Sequence, residues 1–410
     1  MKELIFGFLL LVFSSALCAQ TRALDFFVTN GLGNSPLQKD YQAQLKYAAL
    51  DSSLLSATRK PQVNGMGMLM VAPTFKGFGY DGAVTNTGNY ALLATVTQPL
   101  FAKNIFAPQY TSIRIENQSV GNSALVSAHD LEKEITDEYI TAYSSLNLLN
   151  YNVSLLKIMN EEEAALHEFV KNGIYRQVDF LAFEVEKETQ QTLVSQLNIQ
   201  YRADLSALNI TCGISDTAYY ELQTPAVVSH ALYGSVSPFQ MQFRIDSLRI
   251  RNSQDLIDTR YRAHFNWFAD AGMLTSTPAT FYRNFGASFG IALNVPLYDG
   301  HQRGIEYQKL AVQESIRTNY RNFFTMQQQV HIQQLNTQIT SLDQLIGQQK
   351  SLLKTSEALV DANKLLLDKG QASVSDFILA VKSTVDVKNQ LAQSELSRMQ
   401  LMNELNYWNW

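Results

Sequence analysis

The chain is written twice. Val96-Thr97-Gln98-Pro99-Leu100-Phe101 is echoed by Leu293-Asn294-Val295-Pro296-Leu297-Tyr298 at an offset of 197 residues, and Gly173, Asp179 and Phe180 are echoed by Gly370, Asp376 and Phe377 at the same offset. Each half therefore sets 74 residues between its Pro-Leu-aromatic element and its glycine. Upstream, Ser35-Pro36-Leu37-Gln38 matches Ser237-Pro238-Phe239-Gln240 at an offset of 202. Each match is short, but their common order and spacing restrict the chain to two copies of one structural unit. The expected repeats are residues 20–222 and 223–410.

Prolines mark where regular structure stops. All nine lie outside four stretches, 109–172, 174–210, 300–369 and 371–407, that are rich in Leu, Gln, Glu, Ala, Lys and Ser. Apolar residues recur three and four apart within them, as at Leu146, Leu149, Val153 and Leu156, which predicts long helices packed side by side. A helix over about 105–172 would run roughly 100 Å at its ordinary rise, and the return helix only roughly 55 Å. Ser35-Pro36 and Ser237-Pro238 pair a cap residue with proline at the first helical position, predicting two shorter helices of about 24 residues. Each repeat thus has one long and two short helices in an elongated bundle.

Strands are expected only between the short and the long helix of each repeat, as hairpins at about 63–98 and 263–295. Phe285, Ala287, Phe289, Ile291, Leu293 and Val295 alternate with Gly286, Ser288, Gly290, Ala292 and Asn294, without a single charge. Phe265, Trp267, Ala269 and Ala271 alternate in the same way, as do Tyr90, Leu92, Ala94 and Val96; the Met- and Gly-rich stretch from Val63 to Val71 alternates poorly. Strands of ~9–11 residues with one apolar and one small or polar face suit a membrane barrel around a watery lumen. Two hairpins give four strands, whereas single-chain barrels of this kind begin at about eight. An open sheet in lipid leaves two unsatisfied edges, so the barrel has to be shared. Two copies would give eight strands and a lumen filled by side chains; three give twelve and an open duct.

Composition fits such a protein. The chain is 46% hydrophobic but only 17% charged, and its net charge of -5 offers no basic surface to nucleic acid. Lys2, an apolar run from Leu4 to Leu17 and then Cys18-Ala19-Gln20 follow the plan of a secretory signal peptide, with cleavage expected after Ala19. A lipoprotein reading at Cys18 is disfavoured by Leu17, where such signals want a small residue. Loss of residues 1–19 leaves Cys212 alone, so no disulfide within the mature chain is expected.

Gln98-Pro99-Leu100-Phe101, Val295-Pro296-Leu297-Tyr298-Asp299-Gly300 and the paired Gly-x5-Asp turns at Gly173/Asp179 and Gly370/Asp376 together resemble the TolC-like outer-membrane efflux proteins, over essentially all of the mature sequence. The resemblance implies a mixed α and transmembrane β fold, with four strands per chain completing a twelve-stranded trimeric barrel. The barrel continues into an α-helical periplasmic tunnel, and the protein lies in the outer membrane. It implies a passive exit duct served by a periplasmic adaptor and an inner-membrane pump, with no cofactor, metal or catalytic residue. Pro99, Pro296 and Gly300 would lie at the barrel-to-tunnel junction, and Gly173 and Gly370 at the tip turns. Asp179 would begin a return helix, where a carboxylate suits the helix dipole. Asp376 would line the pore at the tip. Where the family often carries a second ring aspartate this chain has Leu379, and its basic and tyrosine lock positions are Ala372 and Leu367. A looser, more hydrophobic gate is the expectation.

Other readings are weaker. The six histidines form no ligand-spaced cluster, and Glu161-Glu162-Glu163 reads as a solvated helix face or an adaptor contact. Gly77-Phe78-Gly79-Tyr80-Asp81-Gly82 lacks the lysine of a phosphate loop and reads as an external loop. Phe75, Phe78, Tyr80, Phe281, Tyr282 and Phe285 would form one interfacial belt, with Phe101 and Tyr298 at the opposite strand ends, where ordinary core packing is the alternative for these two. The alternative function is an exported coiled-coil adaptor or scaffold without a pore, and the uncharged alternation from Phe285 to Val295 argues against it. No nucleophile–base spacing supports an enzyme.

Overall fold

A computed structural model describes residues 21–73, 78, 88–101, 103–216, 218–228 and 237–410. The expected signal peptide, Phe75 and Tyr80, and all of the glycine-rich segment except Phe78 lie outside these residues. The elements in chain order are α1 (Leu24–Asn34), α2 (Pro36–Thr58), β1 (Gln62–Val71), β2 (Gly88–Leu100), α3 (Lys103–Lys171), α4 (Gln177–Thr211), α5 (Pro238–Arg260), β3 (His264–Thr275), β4 (Phe285–Asn294), α6 (Gln302–Asp368) and α7 (Val374–Trp408).

Two compact units result. A helical unit takes the described parts of Met1–Gln38, Ser127–Gly234 and Gln327–Trp410; a strand unit takes those of Lys39–Val126 and Ser235–Met326. Both long helices, α3 with 69 residues and α6 with 67, contribute to each unit.

In the strand unit the four strands form one antiparallel sheet in the order β1-β2-β3-β4. The two hairpins are joined by β2 and β3, from Tyr90 opposite Thr275 to Leu100 opposite Phe265. The register fixes the faces. One carries Val63, Leu69 and Val71, Leu92 and Val96, Phe265 and Trp267, and Phe285, Phe289, Ile291 and Leu293. Much of this apolar face is uncovered: Leu69 is 82% exposed and Phe289 91%, while Val96, Phe265 and Trp267 are half-buried. The opposite face carries Asn64, Thr95, Asp270 and Ser288 in one cross-strand row. β1 and β4 are unpaired edges. The poorly alternating 63–71 stretch still pairs along its whole length, because Gly65 and Gly67 sit among residues that β2 orders by backbone hydrogen bonds.

The capped short helices form as expected. Ser35 Oγ accepts from the Gln38 amide, Ser237 Oγ from the Phe239 amide, and α2 and α5 have 23 residues each. α3, expected from about 105, begins at Lys103 and runs through Pro108. Proline cannot donate to the carbonyl four residues back, and that carbonyl, Asn104 O, instead accepts from the Arg262 guanidinium at 2.9 Å. α1 is an additional helix hidden by Gly31 and Gly33. At Gly31 a Cβ would stand 2.3 Å from Ile135 Cδ1, so the glycine is what lets α1 lie against α3.

The helical unit has a core at Phe27, Tyr139, Tyr201 and Leu208 and another at Met159, Phe183, Leu367 and Phe377. Along α6, Ile339, Ile346, Leu353, Val360 and Leu367 form a buried seven-residue seam. Beside it Leu345, Leu352, Leu359 and Leu366 form a second, uncovered seam.

Candidate functional site

Two places carry the sequence-predicted site residues. The first is the pair of turns that reverse the long helices, in the helical unit. Gly173 and Gly370 have φ of +75° and +67°, the left-handed region open to glycine. Both close the same motif. Gly173 N donates to Val170 O and Ile174 N to Phe169 O, while Gly370 N donates to Leu367 O and Gln371 N to Leu366 O. A Cβ on Gly370 would stand 3.1 Å from Ile174 Cγ2, so the two turns touch; a Cβ on Gly173 would meet nothing within 4 Å.

The two aspartates differ. Asp179 caps the start of α4, accepting from the Arg176 amide at 3.2 Å and from its guanidinium at 3.0 and 2.8 Å. The Arg176 hydrogen bonds hold its carboxyl below the ordinary carboxylate range. At the matching place Ser373 caps α7, with its hydroxyl accepting from the Asp376 amide. The Asp376 side chain is exposed and makes no ion pair among the described residues, and Leu379, one turn on, is 68% exposed. The turn therefore presents a solvated carboxylate above an apolar residue.

Tyr175 was not singled out from sequence. Its hydroxyl lies 3.0 Å from Leu367 O and 2.8 Å from Ala372 O, so the first turn is fastened to the second. Burial, followed by the nearby Asp368 and Asp179 carboxylates, raises the Tyr175 pKa and keeps the hydroxyl protonated as a donor. The repeat offset would have found it, because Tyr175 and Ala372 are 197 apart: an aromatic in one turn faces a small residue in the other.

The Glu161–Glu163 run is not a solvated face. Glu162 is 4% exposed and pairs with Lys364 at 2.8 Å, and Glu163 takes Lys187 at 2.5 Å. Burial raises the Glu162 pKa, against the pull of Lys364. Glu162 and Glu163 thus tie α3 to α6 and α4, while Glu161, 4.0 Å from Lys364, stays exposed.

The second place, in the strand unit, is where strands become helices. Pro99 is the next-to-last residue of β2 and pairs with Asn266; Pro296 follows β4 and is exposed. Phe101, Gly300 and His301 all take positive φ, at 53°, 64° and 66°. The Asp299 carboxylate accepts from the amides of His301 at 2.9 Å and Arg303 at 2.8 Å, giving α6 its first cap. The Arg303 amide, with Tyr261, holds this carboxyl below its ordinary range. Beside it Asp258 of α5 takes the Tyr307 hydroxyl and the Arg303 guanidinium of α6. Phe101 and Tyr298 are 84% and 81% exposed, which excludes core packing within the chain. The register puts all four junction ends at one end of the sheet and both hairpin loops at the other.

No protein-family model and no curated protein sequence matches this chain; its likeness is to solved structures. It is similar to CusC, from a study of folding and transmembrane channel formation, at 12% identity over 94% of this chain and 91% of that one, with a TM-score of 0.71. The outer membrane protein VceC of Vibrio cholerae matches at 14% identity over 94% and 95% of the two chains, with a TM-score of 0.71. The open-state MtrE outer membrane channel of Neisseria gonorrhoeae matches at 9% identity over 94% and 88%, with a TM-score of 0.69. At these identities the likeness is one of fold: the chain has the fold of the TolC-like outer-membrane channels that its motifs resemble.

Proposed function

We propose that this chain is the outer-membrane exit duct of a tripartite efflux system, passing substrates without chemistry. Three copies each contribute β1–β4 to a twelve-stranded barrel, and their long helices form a tunnel reaching into the periplasm. The two repeats, 20–222 and 223–410, supply equivalent walls. Gly173 and Gly370 are the tip turns, Asp179 starts a return helix, and Asp376 lines the pore with Leu379 beside it. Pro99, Pro296 and Gly300 turn strands into helices at the junction. A periplasmic adaptor and an inner-membrane pump dock at the tip.

The observation that carries this reading is an open sheet with one apolar face, much of it uncovered, and both edges unpaired, in a chain whose fold matches solved outer-membrane channels along 94% of its length. Such a sheet has its backbone satisfied in lipid only when copies close it. The test is the mass of the particle extracted from membranes in mild detergent, by light scattering corrected for bound detergent. A particle of three chains is expected. A monodisperse soluble monomer would overturn the duct in favour of the exported scaffold.

A further inference from the structure

Among the residues of β1 to β4 there is one carboxylate, Asp270. It is the seventh residue of the twelve in β3, so it sits at mid-strand, away from the loops and the junction alike. The register puts it on the face opposite Leu69, Phe289 and Ile291, in a row running Asn64, Thr95, Asp270, Ser288 across all four strands. Ser288 Oγ donates to Asp270 Oδ2 at 2.8 Å, which holds the carboxylate in place on this face, where the residue is partly exposed. Its neighbours on this face are Gly272, Gly286 and Gly290, which carry no side chain, and Phe268, whose ring lies over Gly290. An ionised group at the depth of the bilayer centre costs about 2–4 kcal/mol on a lipid-facing barrel surface for the basic side chains and less for acids, so a lone charge there is retained where water reaches it.

We propose that Asp270 is a cation filter of the barrel itself, separate from the helix-turn tip. The proposal rests on the channel reading, since it needs three copies around one axis. Threefold symmetry then sets three Asp270 carboxylates at one height among strand residues that include no other Asp, Glu, Lys or Arg, flanked by the hydroxyls and amides of Ser288, Thr95 and Asn64. A carboxylate ring attracts cations and holds back anions. The ligand class is small cations, or the cationic end of a larger solute in transit. The field of so wide a ring falls within a Debye length, about 30 Å at 0.01 M salt and about 3 Å at 1 M, so the selectivity is strong in dilute salt and fades in concentrated salt.

The test is the reversal potential of the purified full-length protein in planar bilayers under a KCl gradient in dilute salt. The wild type is expected to prefer potassium, and Asp270→Asn to lower its potassium-to-chloride permeability ratio about twofold or more. Asp376→Asn serves as a comparison, its effect adding to that of Asp270→Asn. Because the natural thiol Cys212 is buried, Asp270→Cys can be labelled in the assembled channel. An anionic thiol reagent should restore cation preference and a cationic one reverse it, which keeps the question open to decision if Asp270→Asn assembles poorly. A conducting Asp270→Asn channel with the wild-type reversal potential, or an Asp270→Cys channel indifferent to reagent charge, overturns the filter and leaves the duct standing. A wild-type protein that inserts but never conducts overturns both.

Discussion

Tyr175 offers its single hydroxyl to two carbonyls of the opposite turn, Leu367 O and Ala372 O. Leu367 is 1% exposed and its carbonyl keeps the Gly370 amide when the hydroxyl is gone, so what is lost is the tie between the turns. Tyr175→Phe keeps the ring beside Phe169, 6.0 Å away, and removes only the fastening. The expected loss is about 1 kcal/mol of coupling between the turns. It should appear as faster hydrogen exchange at Gly370 and Gln371 and as a higher conductance of the reconstituted channel. Unchanged exchange and conductance would make the hydroxyl a bystander. The residue scale also shows where sequence was legible and where it was not. Gly173 and Gly370 could be read because left-handed backbone narrows the choice of residue, and Asp179 because a first-turn carboxylate meets a fixed dipole. The burial of Glu162 could not: three successive glutamates look alike until a helix from the other repeat brings Lys364 to 2.8 Å of Glu162 and to 4.0 Å of Glu161.

At the scale of elements, helix and strand positions were legible because their periods differ, 3.6 against 2, over long runs. Breaks were less so. The proline-free stretch begins only at 109, but the helix, expected from about 105, begins at Lys103 and holds Pro108, since Arg262 takes the carbonyl the proline leaves without a donor. That compensation comes from a residue 158 positions away and is invisible in the local pattern. The α5–α6 contact is of the same kind. The Tyr307 hydroxyl, followed by the Arg303 guanidinium, lowers the Asp258 pKa from its ordinary 3.8. A carboxyl with a depressed folded pKa contributes stability that is fully present above 3.8 and is lost as pH falls through the folded value. Asp258→Asn should therefore lower the thermal midpoint at neutral pH and flatten its fall between about pH 5 and about pH 3, so that variant and wild type converge in acid. Parallel curves for the two proteins would assign the acid dependence elsewhere.

At the scale of the molecule, what one chain leaves uncovered bears on its assembly. α2 buries none of its residues, and Leu50 and Leu54 on it are 63% and 65% exposed. In the part of α6 belonging to the strand unit, Ile305, Val312, Ile316, Phe323 and Met326 are each about half exposed, at the three-, four- and seven-residue spacings of a helix-packing seam. Apolar seams of this length on a helix face another helix, and fully burying each side chain of that size is worth about 1.5–3 kcal/mol. The sheet edges at β1 and β4 demand company for their backbone groups; these seams demand it for their side chains. Sequence alone announced the sheet's incompleteness through strand number, but could not say which α6 seam the chain would cover itself, since the Ile339-to-Leu367 and Leu345-to-Leu366 seams both repeat every seven residues. If copies pack along this face, Val312→Glu with Phe323→Glu should place six charges per trimer in apolar contacts and shift the detergent particle from three chains towards one. Gln313→Glu, one residue round the same helix, adds charge to a surface already exposed and should leave the mass unchanged. A trimer that survives the double variant at wild-type stability would show that this face of α6 looks onto water, and that the barrel edges alone hold the copies together.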